Sequence, residues 1–189
     1  CTVLLQGNHE RSHPLYQRSL AIREKVLGPD HPHLAFSLDN LAGLLKDQGN
    51  HSQAELLYQR SLAIREKVLG PDHPHVAFSL DNLARSLKDQ GNYERAEPLY
   101  QRSLAIREKV LGPEHLGVAS SLNNCAGLMQ IQARKQSQRM SFSFPLQGNY
   151  ERSDPLYQRS LAIREKVLGP DHPHVAFCLD NLASSLKAQ

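Results

Sequence analysis

Apolar residues recur at helical spacing along most of this chain. Val76, Leu80, Leu83, Ala84 and Leu87 fall at i, i+4, i+7, i+8 and i+11, which is one face of an α-helix. Gly91 follows and suits the left-handed position that closes a helix. Asn92 comes next, a good N-cap for a second helix. Tyr93, Ala96, Tyr100 and Leu104 mark the buried stripe of that helix, joined by Leu99, Ile106, Val110 and Leu111. Gly112-Pro113 stops it. In two neighbouring copies the stop reads Gly70-Pro71-Asp72-His73-Pro74 and Gly169-Pro170-Asp171-His172-Pro173, where two prolines enforce a loop. The predicted unit is a shorter helix A, a two-residue turn, a longer helix B of about 20 residues spanning roughly 30 Å, and a proline-rich loop. Pro14, Pro98 and Pro155 lie about two turns into helix B, where proline removes a hydrogen bond and can kink the helix. The second unit has Leu56 there, so proline is tolerated and not required.

The pattern repeats almost verbatim. Tyr-Gln-Arg-Ser-Leu-Ala-Ile-Arg-Glu-Lys-Val-Leu-Gly begins unchanged at Tyr16, Tyr58, Tyr100 and Tyr157. The first two steps are 42 residues and the last is 57, longer by the 15 residues Gln132 to Leu146. Four copies of one helix present four copies of one surface, whereas an active site needs different residues converging on one reacting centre. No enzyme activity and no cofactor are expected. The predicted order is an orphan helix B, three A-B hairpins and a final helix A, all one elongated stack. Residues 1–131 hold the orphan helix, two hairpins and helix A of the third. Residues 132–146 are a basic insert, and 147–189 continue the array. Cys1 to Leu5 read as the stub of an earlier helix A, and the chain as a fragment of a longer array.

Charge adds little. The net charge of +3 comes from 22 basic and 19 acidic residues, and Arg134, Lys135 and Arg139 of the insert account for the excess. A balanced array gives no reason to expect nucleic acid or an anionic membrane as partner. The three cysteines, Cys1, Cys125 and Cys178, fit neither a disulfide framework nor a zinc site. Cys125 and Cys178 fall in helical patterns as small, buried or half-buried residues, as in a reducing, cytoplasmic setting. No apolar run approaches membrane-spanning length, and no signal peptide is visible.

Leu80, Leu83, Ala84, Leu87, Gly91, Tyr93, Ala96 and Tyr100 match the spacing of the tetratricopeptide repeat signature, with Leu80 where that signature has Trp. The 42-residue period and the Leu-Gly-Pro-Asp-His-Pro ending resemble the kinesin light chain type of this repeat. The resemblance implies an all-α fold, a right-handed α-solenoid of stacked antiparallel helix hairpins. It also implies a concave groove lined by helix A that takes extended peptides. In that type an Asn of helix A holds the peptide backbone, and the matching residues are Asn40, Asn82, Asn124 and Asn181. An amide suits the role because it both donates and accepts; the alternative is an Asn bonded to a loop or to water. On the same face lie Asp39, Asp81, Asn123 and Asp180, then Gly43, Arg85, Gly127 and Ser184, then Lys46, Lys88, Gln130 and Lys187, with Phe36, Phe78 and Phe177 near the rim. The implied partner is a protein or peptide, with kinesin heavy chain or cargo if the array belongs to a kinesin light chain. The other reading is the sensor or oligomerisation arm of a signalling NTPase of the NB-ARC or STAND type.

Three features admit a bland and a sharp reading. The His-Pro-His segments (His31 and His33, His73 and His75, His172 and His174) read as loop and helix-entry residues, since a structural metal site wants four well-placed ligands. The Arg-Glu-Lys run of helix B reads as a solvated outer face. The insert reads as disordered or as partly extending helix A, and as translated non-coding sequence in preference to a basic interaction loop. A longer surface loop costs only about 0.6 kcal/mol per doubling, so the array is expected to survive it. The third unit also departs from the rest, with Glu114-His115-Leu116-Gly117 in place of the second proline and a less charged face.

Overall fold

In a computed structural model that describes residues 2–139 and 147–187, the chain is all-α. Eight helices occur among the described residues: α1 (Thr2–Leu27), α2 (Pro32–Asp47), α3 (His51–Leu69), α4 (Pro74–Asp89), α5 (Tyr93–Leu111), α6 (Leu116–Arg139), α7 (Gln147–Leu168) and α8 (Pro173–Leu186). They form two compact units, Cys1–Asn92 and Tyr93–Gln189. In the first, α1 packs on α2, α2 on α3 and α3 on α4; in the second, α5 packs on α6, α6 on α7 and α7 on α8. No described helix is long and apolar enough to cross a membrane.

Each unit is built around the same core. In the first, Leu34, Ala35, Leu38 and Ile64 are buried together, with Leu20 and Leu57 packed against them. In the second, Val118, Ala119, Leu122 and Ile163 do the same, with Leu104 and Leu156. These are equivalent positions of the repeat, with Val118 where the first unit has Leu34, so conserved apolar spacing within the chain has produced the same packing. Each buried Leu, Ile or Val among them contributes on the order of 1.5–3 kcal/mol. Cys125 and Cys178 are buried within this framework and are not joined in a disulfide.

Local chemistry sets the helix ends. Gly49 has φ 81°, and two hydrogen bonds close the end of α2: Gly49 N to Lys46 O at 2.9 Å and Asn50 N to Leu45 O at 2.8 Å. That pair is a Schellman motif, which needs a left-handed residue that Gly supplies without a Cβ clash. In the turn before α3, the position equivalent to Asn92 is Asn50, whose side chain makes no cap bond. The His-Pro loops do more than sequence showed. His31, His73 and His172 are N-caps, each accepting through Nδ1 from the backbone N–H two residues on, at 3.1–3.2 Å. Proline follows at the first helical position, where its missing N–H costs nothing. The third unit keeps the cap, His115 Nδ1 accepting from Gly117 N at 2.9 Å. Replacing His73 by Ala should lower stability by about 1 kcal/mol and replacing it by Asp should not; the midpoint of urea unfolding measures both.

Two boundaries differ from the expected ones. The Gly7-Asn8 turn does not form, and one helix runs from Thr2 through Leu27. Helix α6 has 24 residues against 16 in α2 and α4. It runs through Gln132–Arg139 because Ala133, fully buried, stands where Gly49 and Gly91 turn left-handed. A left-handed conformation costs a residue with a Cβ roughly 1–2 kcal/mol. Met140 to Leu146 of the insert lie outside the described residues, as does the side chain of Arg139. Pro14, Pro98 and Pro155 sit inside α1, α5 and α7 without ending them.

The additional 15 residues leave the stacking register intact. Ser61 Oγ donates to Ala35 O at 3.1 Å in the first unit, and Ser160 Oγ to Ala119 O at 2.8 Å across the insert in the second. The ion pairs Arg60–Glu24 and Lys67–Asp30 recur as Arg159–Glu108 and Lys166–Glu114.

Candidate functional site

The helix A residues singled out from sequence converge in the first unit. A cleft of about 500 Å³ is lined by Asn40 and Asn82, by Asp39, Asp47 and Arg85, and by the rings of Tyr16, Phe36, Tyr58 and Phe78. Helices α2 and α4 present the same face to it because their sequences repeat at 42 residues. Phe36 and Phe78 are about half exposed and wall it with apolar surface.

The floor is polar. Asn82 is buried and accepts from Arg85 Nη2 at 2.9 Å, which leaves its amide N–H₂ as the donor available to the cleft. Asn40 is half-buried. The Tyr58 hydroxyl lies 3.6 Å from where a Cβ on Gly43 would stand, so the missing side chain keeps this corner open. Burial pushes the Tyr58 pKa up, with Arg85 pulling it down and Asp39 and Asp47 raising it.

Asp39 is not a free groove charge. Its side chain is 7% exposed, and Oδ2 lies 2.6 Å from Arg65 Nη1, an ion pair off the N–H axis that leaves the carboxylate without an aligned hydrogen bond. Burial raises the Asp39 pKa, partly offset by the Ser61 hydroxyl and by Arg65.

Arg65 corrects the reading of the Arg-Glu-Lys run as a solvated face. It is 6% exposed and donates to Ser61 Oγ at 3.0 Å and to Ser79 Oγ on the next helix, with its guanidinium 5.8 Å above the Phe78 ring. The arrangement repeats. Arg23 reaches Ser37, Arg107 reaches Ser121 and Arg164 reaches Cys178, always 14 residues along the chain. The signal was present in the sequence: an Arg kept in four helices with a Ser or Cys at fixed separation. Glu66 is half-buried, while Lys67, Lys25 and Lys109 are exposed, so the solvated-face reading holds for the lysines.

The remaining predicted residues lie elsewhere. Lys46 is engaged by Asp47 and Asp89, each at 3.5 Å. Asp81 and Lys88 are half-buried outside the cleft lining. In the second unit Asn124 is half-buried, Lys187 is exposed, and Asn181 Nδ2 donates to Asn123 Oδ1 at 3.0 Å. The position of Gly43 is taken there by Gly127, with the Tyr157 hydroxyl 3.5 Å from its would-be Cβ. Tyr157 also donates to Gln130 Oε1 at 3.3 Å. Sequence reasoning assigned the helix B tyrosines to the buried stripe and missed Tyr16 and Tyr58 as cleft-lining groups. Tyr58 and Tyr157 are buried, with hydroxyls facing the glycines.

A model of the Tetratricopeptide repeat family matches residues 2–67, 57–109, 80–137 and 140–189. Among curated proteins no sequence matches. Among solved structures, BtubC (BKLC) from P. vanneervenii is similar over 98% of this chain and 68% of its own, at 26% identity and a TM-score of 0.77. A Podosopora anserina protein of kinesin-light-chain type with nearly identical TPR-like repeats is similar over 97% of this chain and 80% of its own. Its two structures are 25% and 26% identical, with TM-scores of 0.77 and 0.76. The chain's helical hairpins thus follow a fold that serves protein–protein interaction.

Proposed function

The chain belongs to the tetratricopeptide repeat family, and from that premise we propose that it is an adaptor scaffold that binds an extended peptide segment in the cleft of its first unit. One observation carries this reading: Asn40, Asn82 and Arg85 meet the Phe36 and Phe78 rings in one open cleft. The amide of Asn82 offers donors to a peptide carbonyl, the rings accept apolar side chains, and charges of both signs flank them. Grooves that take extended segments commonly work this way, with backbone bonds for affinity and side-chain pockets for choice. The likeness to a kinesin-light-chain protein supports an adaptor role, with kinesin heavy chain or a cargo peptide as the partner class.

A peptide selected from a random displayed library against the chain provides the probe. Each amide contact is worth about 0.5–1.5 kcal/mol, so the pair Asn40→Ala and Asn82→Ala should weaken the selected peptide about tenfold while leaving the thermal midpoint nearly unchanged. Unaltered affinity in the folded double variant would remove the groove assignment.

A further inference from the structure

We infer that the second unit carries a peptide site of its own, in which Gln130 and Arg134 of α6 take the carboxylate side chain of an acidic segment; this extends to the second unit the reading of helix A as a peptide-binding face. Asn123, Gly127, Gln130 and Arg134 fall at i, i+4, i+7 and i+11 of α6, so they share one side of the helix. By the repeat they occupy the positions of Asp39, Gly43, Lys46 and Asn50. An amide therefore stands where α2 has Asp39 and α4 has Asp81. The fourth position is new to the face. Helix α6 runs on through it, where the regular unit has already turned, and so adds Arg134.

The polar groups of this face are donors. Asn123 Oδ1 accepts from Asn181 Nδ2 at 3.0 Å, which leaves the Asn123 N–H₂ to the groove. Gln130 Oε1 accepts from the Tyr157 hydroxyl at 3.3 Å. Gln130 is 8% exposed, and its Nε2 is buried with no hydrogen-bond partner among the described residues. A buried donor left unpaired is costly, and an acceptor brought by a partner removes that cost. Access is open, because a Cβ on Gly127 would meet only the Tyr157 hydroxyl, at 3.5 Å, among the described residues.

Arg134 supplies the charge. It is exposed and close enough to the Tyr157 hydroxyl to lower its pKa. Other cations of this unit are engaged. Lys135 lies 4.6 Å over the Tyr93 ring, and Arg152, Arg159 and Lys166 pair with glutamates. Arg134 pairs with no acid among the described residues. Asp154 of α7 stands near Tyr157, but its Oδ1 already accepts from Ser185 Oγ at 2.6 Å. Asp180 of α8 has the position equivalent to Asn123, which lies about 16 Å along α6 from Arg134. The acid of a partner is thus directed to the Arg134 end, where Gln130 Nε2 and the guanidinium stand one turn apart and both donate.

The Asn40→Ala, Asn82→Ala chain, with its first cleft disabled, is the target for a random displayed peptide library. Selected peptides should share an Asp or Glu at one fixed position. Changing that residue to Asn or Gln should weaken binding about fivefold, and on the Arg134→Gln background the same change should have almost no effect. A library selected against the Arg134→Glu chain should exchange the acid for Lys or Arg. Arg134 is exposed, so both variants should keep their helical circular dichroism and thermal midpoint. Peptides without a shared acid, an acid whose effect is undiminished by Arg134→Gln, or a selection that yields no peptide would each overturn the inference. Coupling between the acid and Arg134 stands apart from the first cleft: it can hold even where the Asn40, Asn82 pair leaves a peptide selected on the unaltered chain unaffected.

Discussion

Replacing Arg65 by Met is expected to lower stability by about 3–5 kcal/mol, the usual cost of leaving one member of a buried ion pair without the other. Arg65 and Asp39 are each 7% exposed at the side chain, and Arg65 also serves Ser61 and Ser79. Methionine fills similar volume but supplies no donor, so a carboxylate and two hydroxyls lose their partner together. Arg23→Met provides the control. Arg23 is half-buried and meets Ser37 and the His33 carbonyl, so its loss should cost clearly less. Equal losses in urea unfolding would show that the ion pair contributes nothing beyond packing.

The same substitution has a pH signature. Burial raises the Asp39 pKa above 3.8 despite Ser61 and Arg65, so in this window the folded state binds the proton more tightly than the unfolded state. Its contribution to stability is therefore present below 3.8 and lost as pH rises through the folded pKa. Arg65→Met removes one of the lowering interactions, pushes that pKa higher and deepens the loss. The penalty of the variant should then be smallest in acid, and Asp39→Asn combined with Arg65→Met should recover part of it. A coupling on the order of 1–3 kcal/mol is expected from that double-mutant cycle.

The second large effect lies in alkali. Tyr157 is 2% exposed, and burial pushes its pKa up to about 12, with Arg134 lowering it and Asp154 and Cys178 raising it. An unfolded chain ionises this phenol near 10 while the folded chain holds its proton. The stability present below pH 10 is consequently lost as pH rises through about 12. At about 1.36 kcal/mol per pH unit the loss is on the order of 2–3 kcal/mol. Tyr157→Phe should flatten this alkaline limb while losing about 1 kcal/mol at neutral pH with the bond to Gln130. Unfolding midpoints measured across the alkaline range decide it: an unchanged slope in the variant would mean that other groups carry the transition.

Much of the architecture was legible because it is written within a few residues. Apolar spacing, Gly49 and Gly91 at the turns, and the Gly-Pro stops each act through the local backbone. The same local logic explains where the reading failed. Gly7-Asn8 carries the letters of a turn, yet helix α1 runs through it. The Ala133 position carries no turn residue, and helix α6 passes through it.

The candidate site was legible in part. Asn40, Asn82 and Arg85 lie on one helix face by periodicity, and that face lines the cleft. Lys46 shares the face and is nevertheless held by Asp47 and Asp89, because a long side chain goes where an opposite charge stands, and Asp89 lies 43 residues away.

The sequence by itself determined the repeat, its helices, its period and its family, since these rest on identity between copies and on interactions within one or two turns. Only the tertiary structure decided that Arg65 is a buried partner of Asp39 and not part of a solvated face. It also decided that the Tyr58 and Tyr157 hydroxyls meet glycines. Each of these depends on which helix lies alongside, and packing between stacked hairpins is set by surfaces far apart in the chain.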